Sequence, residues 1–84
     1  MHIKVITPDR KVFEGEVSQA KFPGMSGQFE VLKDHAAMIS MLGEGPLILN
    51  TTEGLKTFMI EGGVVEILRN QINVLVEALL PTEA

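Results

Sequence analysis

The chain has 84 residues, 45% hydrophobic and 21% charged, with a formal charge of −4 and no cysteine. That is enough apolar material for one thin two-layer core and too much for a disordered segment, so a single folded domain is expected. The acidic balance argues against nucleic acid, which is held by Lys and Arg neutralising phosphates, and the lack of cysteine removes disulfides and thiolate metal sites.

Met1 to Lys4 run straight into alternating sequence, without the cationic start and apolar block of an export signal. No apolar run reaches the roughly 20 residues that cross a bilayer, so any membrane association is expected to come through a partner. His2 to Thr7 reads as a strand with Ile3 and Val5 on one side, closed by a turn at Thr7-Pro8-Asp9-Arg10. Val12-Phe13 and Val17 to Phe22 read as a strand interrupted by a bulge at Gly15 and ended by Pro23. Gln28 to Leu32 is a short strand with Phe29 and Val31 on one face and Gln28 and Glu30 on the other.

From His35 to Leu42 the pattern fits two structures. His35, Met38, Ile39 and Leu42 would line one face of a helix, but the flanking strands and the nearby Gly43 and Gly45 favour a strand that is apolar on both faces. Leu47 to Thr51 and Leu55 to Ile60 form a hairpin about Thr52-Glu53-Gly54, with the glycine supplying positive φ and Phe58 and Ile60 on one side. Gly62-Gly63 marks a sharp bend or a close backbone approach. Val64 to Leu68 then turns through Arg69-Asn70-Gln71 into a last strand on which Ile72, Val74 and Val76 alternate strictly. Turn signals every eight to twelve residues predict an all-β sandwich or barrel of about eight to ten short, mostly antiparallel strands.

Chemistry is sparse. His2, His35 and scattered carboxylates do not make a metal cluster. Asp34 and His35 are neighbours whose side chains would point to opposite faces of an extended chain, so they read as a turn aspartate and a surface histidine, not as an acid/base pair. Gly24-Met25-Ser26-Gly27 lacks the helix and lysine of a phosphate loop, and Gly62-Gly63 has no G-x-G-x-x-G or βαβ unit around it. No catalytic residue and no cofactor are expected. Met25 stands in a glycine-rich loop where exposure would be informative, while Met38, Met41 and Met59 read as core filling.

Several segments occur together in a telling order: His2-Ile3-Lys4-Val5-Ile6-Thr7-Pro8-Asp9, Val12-Phe13-Glu14-Gly15-Glu16-Val17, Pro23-Gly24 with Gly27, His35-Ala36, Leu42 with Gly45, Gly62-Gly63-Val64-Val65-Glu66, and Asn73-Val74-Leu75-Val76-Glu77-Ala78. To about Leu79 this resembles the epsilon-subunit family of bacterial F-type ATP synthase. The resemblance implies a flattened β-sandwich over residues 1–80, with 81–84 as a frayed tail. Members of the family usually continue into a pair of C-terminal helices that restrain ATP hydrolysis, and the resemblance does not reach that part. It implies a non-catalytic central-stalk subunit that, with gamma, joins the ring of c subunits to the catalytic alpha/beta head. As a rotor part it would pass on rotation driven by proton flow, at the cytoplasmic face of the bacterial inner membrane and held to that membrane only through the complex.

By position, Met25, Ser26, Gly27, Gln28 and Phe29 match the family's contact with the loops of the c ring, centred on Gln28, where many relatives carry an acid. Thr7, His35 and Ser40 match positions near gamma, and Ala37 stands where proline is common. The competing reading is a free-standing β module that binds a peptide or a sugar. Against it, the chain has no Trp or Tyr, and its four Phe sit at core-like positions. A minimal hydrolase using Asp34 and His35 lacks a nucleophile.

Overall fold

The computed structural model describes residues 1–81. Six strands carry the chain: β1 (His2–Ile6), β2 (Lys11–Gly24), β3 (Gly27–Leu32), β4 (Met38–Thr51), β5 (Gly54–Leu68) and β6 (Gln71–Leu79). They lie in the order β1-β6-β5-β4-β2-β3, and β1 pairs back onto β2, so five strands close a barrel and β3 hangs outside it on β2. The body measures 33 × 29 × 24 Å, a barrel flattened into a sandwich. Every pairing is antiparallel except β1 with β6.

The expectation of eight to ten strands is corrected to six, because three strands run on through residues that read as breaks. β4 joins the segment before Gly43 to Leu47–Thr51, and β5 joins Leu55–Ile60 to Val64–Leu68. β2 has no bulge at Gly15, which sits in register opposite Ile3; the irregularity falls between Val5 and Ile6 of β1 instead. Nor does Pro23 end β2, since it pairs with Gln28 of β3. Its missing N–H falls where the β2–β4 register shifts, between Lys21 and Gly24, the kind of place at which a sheet tolerates proline. The long strands leave the ordinary extended conformation at Gly45 of β4, at φ 152°, and at Gly62 and Gly63 of β5, at φ 73° and 150°, but continue through these positions.

Residues 38–42 are strand, not helix. The hairpin at Thr52-Glu53 forms as expected, with Thr51 opposite Gly54 and Gly54 at φ 107°. Ile3, Val5, Phe22, Leu47, Leu49, Ile60, Val65, Ile72, Val74 and Val76 are buried in one core, so the alternation read in β1 and β6 does face inward. The tail expected at 81–84 falls, beyond Pro81, outside the described residues. Ahead of it, the Leu80 N–H donates to the Met59 carbonyl at 2.8 Å.

The final hairpin turns in two residues, Arg69 and Asn70, at φ 51° and 61°, while Gln71 already pairs with Leu68. Positive φ at both central positions matches the right-handed twist of the strands, and asparagine accepts it readily. Asn70 also ties three segments together. Its Oδ1 accepts the Asp34 N–H at 2.7 Å, its Nδ2 donates to Asp34 Oδ1 at 3.1 Å, and its carbonyl accepts the His2 N–H at 2.9 Å. Asn70→Ala should lower stability by about 1–2 kcal/mol, from a left-handed residue that has lost its side-chain compensation plus two lost hydrogen bonds. The urea midpoint reads this, and a larger loss in Asn70→Ala than in Asn70→Gly would separate the backbone share.

Candidate docking surface

On the outer face of the layer formed by β1, β6, β5 and β4, register brings one apolar row together. Ile6 lies beside Leu75, Leu75 beside Val64, and Val64 beside Met41. At about 4.8 Å between strands the row is about 14 Å long. Ile6 and Val64 are half-buried and Leu75 and Met41 exposed, with exposed Ile39 two residues along β4 on the same side. A parallel row, Lys4, Asn73, Glu66 and Ile39, gives the patch a polar border. Neither Lys4 nor Glu66 is in an ion pair among the described residues. Apolar side chains grouped across four strands, and not scattered singly, are what an interaction surface looks like.

The row ends at the β2–β3 hairpin. The Met25 N–H donates to the Met41 carbonyl at 3.3 Å, and a groove there is lined by Gly24 to Phe29 on one side and Met38 to Met41 on the other. Met41 is therefore not core filling: it is 59% exposed, because its neighbours Ser40 and Leu42 take the inward positions. Met38 does pack against the core, Met59 is half-buried, and Met25 is 70% exposed.

Of the residues matched by position to a ring contact, Met25, Ser26, Gly27 and Gln28 are exposed at the hairpin, while Phe29 is half-buried. The Phe29 ring stacks on buried Phe22 at 5.3 Å between centroids. The three residues matched to gamma do not form one cluster. Ser40 lines the hairpin groove between Ile39 and Met41. His35 lies in the turn between β3 and β4, with Nδ1 2.7 Å from the Ala36 carbonyl. Thr7 is buried and spent on the β1–β2 turn: its hydroxyl donates to Asp9 Oδ1 at 2.7 Å, and its N–H donates to the Arg10 carbonyl at 2.8 Å. The hydroxyl's bond to its oxygen holds the Asp9 carboxyl below its ordinary range. Sequence reasoning missed Ile6, Val64 and Leu75 as surface residues, although Val74-Leu75-Val76 is apolar on both faces.

Charge collects away from the row. The His2 ring bridges two carboxylates, with Nε2 2.9 Å from Glu14 Oε2 and Nδ1 2.9 Å from Glu16 Oε2, and Lys11 Nζ reaches Glu14 Oε1 at 2.9 Å. Hydrogen bonds to Glu14, then to Glu16, raise the His2 pKa above 6.5. Those from His2, then Lys11, pull Glu14 down to about 2. A raised imidazolium stabilises the fold fully below pH 6.5, and the gain is lost as pH climbs through its folded value; the Glu14 gain is present above 4.5 and lost on acidification toward 2. The denaturation midpoint should therefore fall as pH rises above 6.5 in the native chain and stay flatter in His2→Gln over the same range.

No exposed aromatic platform for a sugar or peptide occurs among the described residues: Phe22 is fully buried, and Phe13, Phe29 and Phe58 pack against the core.

Residues 1–82 match the family described as ATP synthase, Delta/Epsilon chain, beta-sandwich domain. The chain is 35% identical over 88 residues to the ATP synthase epsilon chain of Salinibacter ruber, covering 94% of this chain and 59% of that protein. It is 38% identical over 77 residues to the ATP synthase epsilon chain of Leptospira interrogans, covering 92% of this chain and 61% of that protein. It thus spans about three fifths of these relatives. Its fold is shared with a chain in the central stalk and c-ring structure of the Tetrahymena thermophila mitochondrial ATP synthase, at a TM-score of 0.80 and 22% identity over 94% of this chain and 64% of that one. A chain of the Euglena gracilis mitochondrial ATP synthase superposes at a TM-score of 0.85 and 18% identity, over 94% of this chain and 51% of that one.

Proposed function

The chain belongs to the family of ATP synthase delta/epsilon-chain β-sandwich domains, and from that premise we propose that it is a non-catalytic part of the enzyme's central stalk. It docks on gamma through the face carrying Ile6, Leu75, Val64 and Met41, and turns the β2–β3 hairpin, Met25 to Phe29, toward the loops of the c ring. Rotation of the ring passes through it to gamma and so to the alpha/beta head. Its place is the cytoplasmic side of the bacterial inner membrane, within the complex.

The observation that carries this reading is the apolar row across four strands, in which Ile6, Leu75, Val64 and Met41 are brought side by side and not scattered singly. A closed barrel suits the duty, because cross-bonded strands around a packed core resist shear. Leu75→Asp tests it. An unpaired carboxylate at the centre of the patch should weaken binding to purified gamma by more than about tenfold, as buried unpaired charge does at interface centres. The urea midpoint should stay unchanged, since Leu75 already faces water in the free chain. A folded native chain with no affinity for gamma would end the reading.

A further inference from the structure

Met25 and Met41 carry sulfur where the rest of the row carries only carbon. They are 70% and 59% exposed, their backbones are joined by the 3.3 Å bond from the Met25 N–H to the Met41 carbonyl, and both line the hairpin groove. Although the hairpin backbone turns toward the ring, the Met25 side chain folds back over β4 onto the Met41 end of the row that faces gamma: a methyl group added at Gly43, two residues from Met41 and on the same side of the strand, would meet its sulfur at 3.6 Å. The other methionines are shielded: Met1 and Met38 pack against the core, and Met59 is half-buried beside Phe58 on β5.

We infer that Met25 and Met41 form a paired oxidation site, and that peroxide acting there switches off docking at this face; the inference rests on the docking reading above. The thioether sulfur attacks one peroxide oxygen, the O–O bond breaks, sulfur gives up two electrons and gains the oxygen, and the other oxygen leaves as water. A flexible apolar side chain becomes a polar sulfoxide with a strong acceptor. In water that acceptor is solvated, but under a docked partner it has no donor waiting for it, so the penalty falls on the complex and not on the fold. A methionine sulfoxide reductase would reverse it.

The test treats the free chain with hydrogen peroxide and follows each methionine by peptide mass spectrometry. Met25 and Met41 should gain oxygen about tenfold faster than Met38 and Met59, in keeping with reactivity that follows exposure. The doubly oxidised chain should bind gamma about tenfold or more weakly with its urea midpoint unmoved, and reductase treatment should restore binding. The Met25→Leu, Met41→Leu chain, which has no sulfur there, should bind equally before and after peroxide. Equal oxidation rates at all four sites, or undiminished binding after oxidation, would overturn this inference alone. Absence of binding before any peroxide would overturn the docking reading as well.

Discussion

Gly63→Ala should leave the chain barely folded, with a stability loss of about 3–5 kcal/mol. A Cβ at this position would stand 2.3 Å from the Leu75 carbonyl oxygen and 3.1 Å from the Val76 Cα, and the residue's φ is 150°. The obstacles are backbone atoms of β6, not the ends of flexible side chains, so relief requires β5 and β6 to part where Gly63 pairs with Val76. A domain of this size holds about 0.05–0.15 kcal/mol per residue, so the loss takes a large share of the total. Circular dichroism with urea titration measures it, and a midpoint within error of the native one would contradict the geometry. Because Leu75 is also in the docking row, a milder displacement would still cost affinity for gamma.

Phe22→Ala is expected to cost about 3–5 kcal/mol, the range for emptying a large aromatic site in a packed core. Phe22 is completely buried, and its ring stacks on Phe29 at 5.3 Å with 23° between planes. The pair has a further use. β3 bonds only to β2, so the Phe29 ring, with Val31, is what fastens that strand to the core. Losing Phe22 should therefore speed amide exchange in Gly27–Leu32 more than in β6, besides lowering the urea midpoint. Uniform exchange across the sheet would mean that the ring acts only as volume. Phe22→Leu, which refills part of the space, should recover roughly half the loss.

The inward faces were legible because burial of one face writes itself as period-two alternation, which Ile72, Val74 and Val76 display and the structure buries. Strand number was not. Glycine and proline mark a place where the chain departs from flat strand, and whether it stops or bends there depends on the partner alongside, which is a distant part of the sequence. At Gly62-Gly63 the partner β6 runs past the two glycines and keeps the strand alive, and Pro23 survives because the register already slips beside it. The family was legible from the joint order of its segments, and the match over residues 1–82 bears it out. The docking row was half legible: Ile39 and Met41 stand out on a strand apolar on both faces, which signals that both faces are covered. Its other members come from β1, β5 and β6, and only register places Ile6, Leu75 and Val64 in line with Met41.

The parallel pairing of β1 with β6 sets an order of events during synthesis. His2 lies opposite Gln71 and Ile6 opposite Leu75, so the first strand made finds one of its two neighbours only when the sixth has left the ribosome. Until then β1 is an edge strand, bonded to β2 on one side and with its other row of N–H and C=O groups unpaired. Closure across such a sequence separation is slow. The seam between β1 and β6 thus stays open until β6 arrives, and it is the last join that closes the barrel.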